Sequence, residues 1–219
     1  MKGLLFISHQ TEKYDYLQSV AIALQGGCQQ IQLRMKDALI GEVEKTAIQA
    51  KALCDDYGAV LYVNDYVEVC LNVKATGIHL GKSDMPPSEA RIILGEKFII
   101  GGTANTFDDI RFLSGQGVDY IGLGPFRFTA TKKNLSPVLG LEGYRNILRL
   151  CAENDIHLPI LAIGGITCDD IPDIMKTGVA GIALSSTILN AVNPIEETKK
   201  IIDIMNKSVF CKESGKKIN

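Results

Sequence analysis

The sequence lacks the features that define several large classes of protein. No apolar run is long enough to span a bilayer, and 23 basic against 25 acidic residues leave a formal net charge of −2. There is therefore no basic field to favour nucleic acid or a membrane surface. The first apolar stretch, residues 4–7, is too short for the core of a secretory signal, and no cleavage site follows it. We expect a cytoplasmic protein without nucleic-acid or membrane partners.

The cysteines also lack the spacing of a metal or disulfide framework. None of the six belongs to a Cys-x-x-Cys pair, and most fall within apolar strand or helix patterns. In a chain of 219 residues this argues against a disulfide framework and against a zinc cluster. We predict that they are buried small hydrophobic side chains. They occupy positions 28, 54, 70, 151, 168 and 211.

Short apolar stretches alternate with amphipathic ones along the whole chain. Strands are predicted over residues 3–8, 29–34, 60–64, 77–81, 98–104, 120–124, 158–165 and 181–186. A helical segment follows each strand, and the last helix, which begins at Asn193-Pro194, is predicted to end near Met205. Eight such units without a linker predict an α/β fold, a single (β/α)8 TIM barrel over residues 1–206, followed by a polar, Lys-rich tail over 207–219. A doubly wound open sheet is the alternative.

The polar residues at the end of strand two point to an anionic ligand. Chemistry in such a barrel is located where strands end and loops begin. Gln32, Arg34 and Lys36 alternate along an extended segment and share one side of it. Two cations and an amide are costly to leave unpaired, so an anionic partner is implied. A structural salt bridge would explain Arg34, but not all three residues together.

Carboxylates follow the next two strands. Asn64-Asp65 ends strand three, and Asp84 lies in the loop after strand four. Because neighbouring strands bring their ends together, these two carboxylates, beside the two cations, suggest a Mg²⁺ site that water and phosphate oxygens complete. The alternative for Asp84 is a capping role before the next helix.

A pair of small residues ends each of the last two strands. Strand seven ends in Gly164-Gly165, and strand eight ends in Ser185-Ser186. In this fold the loops after strands seven and eight commonly bind phosphate through backbone N–H groups, which glycine allows to come close. We predict a monophosphate pocket here, separate from the cluster of cations and carboxylates, which is better suited to a diphosphate.

The long loop after strand six carries hydroxyl and cationic side chains. They are Arg127, Thr129, Thr131, Lys132 and Lys133. Ammonium groups supply charge and threonine hydroxyls supply directional donors, which together suit an anionic ligand. A solvated surface loop is the alternative.

Taken together, these segments resemble the thiamine phosphate synthase family, also called thiamine-phosphate pyrophosphorylases. The resemblance runs from about residue 4 to residue 205 and keeps the family's order of motifs. It implies the same barrel and a transferase reaction of thiamine biosynthesis, in which a hydroxymethylpyrimidine diphosphate and a thiazole ethyl phosphate give thiamine phosphate and pyrophosphate. The matching segments are Gln32-Leu33-Arg34-Met35-Lys36, Asn64-Asp65, Gly77-Ile78-His79-Leu80-Gly81 with Asp84, Tyr120-Ile121-Gly122-Leu123-Gly124-Pro125, Thr129-Ala130-Thr131-Lys132, Gly140-Leu141-Glu142, Ala162-Ile163-Gly164-Gly165-Ile166 and Gly181-Ile182-Ala183.

The resemblance also implies roles for individual residues. Mg²⁺ is the implied cofactor, held by Asp65 and Asp84, and a catalytic part in pyrophosphate release falls to Lys132, Arg34 and Lys36. Whether the thiazole carries a carboxylate, and whether the chain forms a homo-oligomer, are left open. The implied diphosphate contacts are Gln32, Arg34, Lys36, Asn64 and Lys132. Thr129 and Thr131 are implied to line the thiazole side, and the implied contacts of the thiazole's phosphate are Gly165, Ser185 and Ser186.

One segment departs from the family pattern. Where the family has Gly-x-Ser-x-His after strand five, this chain has Gly101-Gly102-Thr103-Ala104-Asn105. Thr103 keeps the hydroxyl and with it a substrate contact, whereas Asn105 cannot accept a proton as imidazole does. The implied reaction needs no general base, and His79 is expected to be a hydrogen-bonded group without a catalytic part. A thiazole tautomerase, which would need a base, and a non-catalytic phosphate-binding barrel are the alternatives.

Overall fold

The computed structural model describes residues 1–128 and 137–215, with side chains as far as Ser208 in the last helix. The described chain contains eight parallel strands, which pair in chain order and close into a barrel. In the closing pair Gly3 lies opposite Gly181. The predicted (β/α)8 barrel is therefore confirmed, and the open sheet is excluded. The strands are β1 (Gly3–Ile7), β2 (Gln30–Leu33), β3 (Val60–Asn64), β4 (Gly77–Leu80), β5 (Ile99–Ala104), β6 (Tyr120–Leu123), β7 (Ile160–Ile163) and β8 (Gly181–Leu184).

Helices connect the strands and cover the outside of the barrel. The start of α1 shows how the local sequence sets a boundary: the Gln18 N–H donates to Asp15 Oδ1 (2.8 Å), and the Asp15 N–H donates to Gln18 Oε1 (2.9 Å). The helices of the described chain are α1 (Tyr16–Gln25), α2 (Ile40–Asp56), α3 (Val67–Asn72), α4 (Pro87–Leu94), α5 (Phe107–Gly115), α6 (Gly140–Glu153), α7 (Ile171–Thr177), α8 (Ser186–Leu189) and α9 (Pro194–Gly215), with a 3-10 turn at Cys168–Asp170.

Several predicted strand ends differ from the structure by one or two residues, and three larger differences have a local cause. Strand β7 ends before Gly164 and Gly165, because their φ angles of +97° and +67° leave the extended conformation. Helix α8 was not predicted, since four residues are too few to show helical periodicity. Helix α9 continues to Gly215 instead of ending near Met205, because no proline or glycine interrupts residues 206–214. The division of the chain at residue 206 stays a prediction.

Side chains fill the interior of the barrel. Leu5, Tyr62, Tyr120 and Leu161 pack against one another there. A Cβ atom at Gly101 would lie 2.1 Å from Cζ of Tyr120, so glycine at this position is what lets the tyrosine ring enter the interior. A barrel packed in this way is a solid core, and a ligand must bind at its mouth, where the strands end.

The described cysteines behave as predicted. Those at positions 28, 54, 70 and 151 are buried and unpaired, and Cys168 is partly buried and unpaired. Burial raises the pKa of the Cys28 thiol to about 11 and that of Cys54 to about 12, so both stay protonated and unreactive. In the ranges that the structure covers, no helix is long and apolar enough to cross a membrane.

Candidate active site

The mouth of the barrel contains buried polar groups that have no partner within the described part of the chain. Gln32 lies between Ile31 and Leu33, which pack against the helices, so its side chain faces the barrel interior, where it is 2% exposed. Its Nε2 has no hydrogen-bond partner among the described residues, and the same holds for Oγ of Ser185 after β8. A buried donor without a partner costs about 1–3 kcal/mol. Both groups therefore mark places where a ligand can supply the missing partner.

Two cations, Arg34 and Lys36, follow β2 at the mouth of the barrel. Arg34 follows β2, and its N–H donates to the buried hydroxyl of Ser8 at the end of β1 (2.9 Å). The positive charges of Arg34 and Lys36 both act on Asp65 and favour its ionised form, which opposes the effects that raise its pKa. The ion pairs formed within residues 1–128 and 137–208 do not include Arg34, so the structural salt bridge considered above is not found there.

Asp65 and Asp84 lie together at the ends of β3 and β4. Burial, a hydrogen bond to Asp84 and the charge of Asp84 raise the pKa of Asp65 to about 7, against the opposing effect of the two cations. Asp84 is fixed by the Gly81 N–H, which donates to its Oδ2 (2.6 Å). Helix α4 has Pro86 as its N-cap without a side-chain cap, so Asp84 does not cap it. The structure thus brings the two predicted carboxylates together.

This carboxylate pair fits the donor set of Mg²⁺. Two carboxyl groups that share a hydrogen bond are close enough to face one cation together. Among the described residues there is no group of three or more His, Cys, Asp or Glu side chains that could hold a metal ion. Mg²⁺ commonly binds through one or two carboxylates and takes its other ligands from water and substrate phosphates.

A pocket of about 600 Å³, counted to its open mouth, lies between the ends of β1, β7 and β8. Gly165, Ser185 and Ser186 line it, as the sequence predicts for a phosphate site, and Arg34 lines it as well. Since Arg34 also acts on Asp65, the pocket and the carboxylate pair are neighbouring parts of one mouth.

Hydrogen bonds connect side chains of β4, β5 and β6. His79 Nε2 lies 2.9 Å from Thr103 Oγ1, and His79 Nδ1 lies 3.1 Å from the hydroxyl of buried Tyr120. His79 is thus the hydrogen-bonded group that was expected, and it orients Thr103. Asn64, the remaining predicted contact on β3, is 7% exposed and lies opposite His79 in the strand pair.

Asn105, which stands where the family has histidine, makes a structural contact. Its side-chain amide donates to the carbonyl oxygen of Gly124, and its backbone N–H donates to Asp109 Oδ2 (2.8 Å). The amide therefore ties the end of β5 to the start of the loop after β6.

The loop after β6 is described only in part. Thr129, Thr131 and Lys132 lie outside the described residues, and their roles stay predictions. Arg127, which the sequence analysis grouped with the anion-binding cations, is instead paired with Asp170, because that carboxylate lies within reach of both its Nη atoms.

A family model described as thiamine monophosphate synthase matches residues 4–188 of this chain. The chain belongs to the thiamine monophosphate synthase family. Relatives named thiamine-phosphate synthase support this: that of Phocaeicola vulgatus is 60% identical over 92% of this chain and 97% of its own length. That of Bacteroides fragilis is 58% identical over 93% of this chain and all of its own.

A solved structure agrees with this family. The thiamine phosphate pyrophosphorylase from Pyrococcus furiosus superposes with a TM-score of 0.84 at 32% identity and covers 94% of this chain and 96% of its own. As a member of the thiamine monophosphate synthase family, the protein is an enzyme of the transferase class.

His9 is among the pocket residues that were not predicted from the sequence. It lines the pocket from the end of β1, next to Ser8. Its position directly after the first strand was the available signal, since every strand end faces the same mouth.

Proposed function

We propose that the protein joins a hydroxymethylpyrimidine diphosphate to a thiazole ethyl phosphate, releasing pyrophosphate and forming thiamine phosphate. The observation that carries this proposal is the pairing of Asp65 and Asp84 within reach of Arg34 and Lys36, beside a separate small pocket. The first group suits a diphosphate with a divalent cation, and the second suits a monophosphate. Two phosphorylated substrates call for such a pair of sites.

Asp65 and Asp84 would hold Mg²⁺. When bound, the ion would neutralise negative charge on the diphosphate. The raised pKa of Asp65 supports this assignment, because two adjacent carboxyl groups that resist joint ionisation are stabilised by a cation between them.

The chain's own residues would stabilise the leaving group. The bond between the pyrimidine methylene carbon and the diphosphate oxygen breaks, and its electron pair leaves with pyrophosphate. Arg34 and Lys36, together with Lys132 by resemblance, would stabilise the growing charge on those oxygens. The amide donor of Gln32 would supply a further hydrogen bond to the diphosphate.

The new bond forms when the lone pair of the thiazole nitrogen attacks the methylene carbon. Gly165, Ser185 and Ser186 would hold the phosphate of the thiazole, and the hydroxyl of Ser185 would gain a partner that the described residues do not supply. Neither step transfers a proton to or from a side chain, so an amide at Asn105 is compatible with the reaction.

The test incubates the purified protein with both substrates and Mg²⁺ and follows pyrophosphate and thiamine phosphate together. We expect the two products in equal amounts, and their formation should stop when EDTA is added. Conversion of the thiazole alone, without pyrophosphate, would instead favour a tautomerase. Binding of both substrates without turnover would favour a phosphate-binding barrel.

A further inference from the structure

Arg127 leaves the end of β6 and reaches across to the loop after β7. Its Nη1 donates to the carbonyl oxygen of Gly165 (2.7 Å) and to Asp170 Oδ2 (2.9 Å), and its Nη2 donates to Asp170 Oδ1 (2.8 Å). This is the two-pronged geometry in which a guanidinium pairs most strongly with a carboxylate. The guanidinium carbon also lies over the Phe126 ring, 5.2 Å from its centre, in a cation–π contact.

The backbone of residues 126–127 runs alongside the turn Gly164-Gly165, called here the β7 turn. The Phe126 N–H donates to the carbonyl oxygen of Ile163, and the Arg127 N–H donates to that of Gly164, both at 2.9 Å. A Cβ atom at Gly165 would lie 2.9–3.0 Å from atoms of Phe128 and Arg127. The segment after β6 and the β7 turn are therefore packed directly against each other.

Asp170 fixes the far side of the β7 turn. Its Oδ2 accepts hydrogen bonds from the N–H (2.8 Å) and the hydroxyl (2.7 Å) of Thr167. Its side chain is 16% exposed, although that of Arg127 is 49% exposed. Gly165 and Thr167 thus both connect to one ion pair, and Gly165 lines the small pocket.

We propose that Arg127 and Asp170 form a latch, a pair of positioning residues that holds the β7 turn in the shape that binds the monophosphate substrate. The latch acts on the backbone of the pocket and touches no reacting atom. It also joins the loop after β6, to which the diphosphate contact Lys132 is assigned, to the wall of the monophosphate pocket. This inference rests on the proposed function for the identity of the substrate, but the shape of the turn can be tested without turnover.

Two explanations of the pair make opposite predictions for Asp170→Asn. If Arg127 only neutralises a carboxylate near the phosphate, removing that carboxylate should strengthen anion binding. If the pair positions the turn, the same substitution should weaken anion binding, because the bidentate contact is lost. Asparagine keeps an oxygen acceptor for Thr167, so the local turn at Thr167 is preserved.

The experiment compares the wild-type protein with Arg127→Gln, Asp170→Asn and the double variant. Asp173→Asn serves as the matched control, since Asp173 forms an exposed ion pair with Lys176 (2.8 Å) on the following helix. Inorganic phosphate is titrated against each protein, and binding is followed at the backbone amide resonances of Gly165 and Ser186. KM values for both substrates are measured separately.

We expect each latch variant to weaken phosphate binding and to raise the thiazole phosphate KM by about two- to fivefold, the scale of losing one partly exposed ion pair. The pyrimidine diphosphate KM should change less, and the double variant should resemble the single variants, because both remove the same contact. Asp173→Asn should behave as wild type.

The latch would be overturned if Asp170→Asn bound phosphate as strongly as the wild type or more strongly, or if the effects were additive in the double variant. It would also be overturned if phosphate left the amide resonances of Gly165 and Ser186 unmoved in the wild type. If the wild type makes no thiamine phosphate but the latch variants still lose phosphate affinity, the proposed function fails and the latch stands.

Discussion

Replacing Gln32 with methionine should stabilise the protein and impair it as an enzyme. Methionine keeps the length of the side chain but removes the buried Nε2 donor, which has no partner in the described part of the chain. Loss of an unsatisfied buried donor is worth about 1–3 kcal/mol to the free protein. For a chain of this size that corresponds to a rise in Tm of roughly 2–12 °C.

The same substitution should weaken diphosphate binding. A hydrogen bond to a charged acceptor contributes about 1.5–3 kcal/mol, so the KM for the pyrimidine diphosphate should rise roughly 10- to 100-fold. The thiazole phosphate KM should change little, because Gln32 does not line the small pocket. Thermal unfolding without ligands and steady-state kinetics measure the two effects.

Gln30→Met is the matched control on the same strand. The side-chain amide of Gln30 already donates to the carbonyl oxygen of Lys2, so its loss should lower Tm or leave it unchanged, with both KM values unaffected. A lower Tm for Gln32→Met would refute the reasoning, since it would mean that the Gln32 amide has a partner in the free protein.

Three further predictions concern the metal, the leaving group and acid stability. Asp65→Ala or Asp84→Ala should abolish turnover while the protein stays folded by circular dichroism, and excess Mg²⁺ should partly rescue the weaker variant; activity that survives EDTA would contradict this. Lys132→Ala should lower kcat by roughly 10²–10³, whereas Asn105→Ala should keep kcat within about tenfold because no proton transfer is assigned to it; the reverse order would contradict the assignment. The hydrogen bond from Arg127 lowers the pKa of Asp170 to about 2, below the unfolded value near 4. The stability that this ion pair contributes is therefore present above about pH 4 and is lost as pH falls towards 2. Urea unfolding across this pH range should show a weaker acid dependence for Asp170→Asn than for the wild type.

The barrel could be predicted because each strand is a short apolar run closed by turn residues. Strand β3 has the predicted bounds, 60–64. The proximity of Asp65 and Asp84 could be predicted for the same reason, since parallel strands that are neighbours in sequence end side by side. These inferences need only local pattern and topology.

Contacts between distant loops could not be predicted in this way. Arg127 and Asp170 are 43 residues apart and both lie outside the regular strands, so neither spacing nor periodicity indicates their pairing. Helix α8 leaves no signal because it has fewer than two turns. The pocket residue His9 looked unremarkable since a single histidine carries no ligand spacing.

The contact between Gly101 and Tyr120 limits how the substrate range of this barrel could be changed. Even one methyl group at position 101 would collide with the tyrosine ring, so the two positions can change only as a pair that exchanges volume. The hydroxyl of the same ring reaches His79, which in turn holds Thr103 at the mouth. A redesigned interior would therefore move the base of the substrate site. New specificity is easier to obtain by replacing the loops at the rim, because such changes leave the contacts among Gly101, Tyr120 and His79 in place.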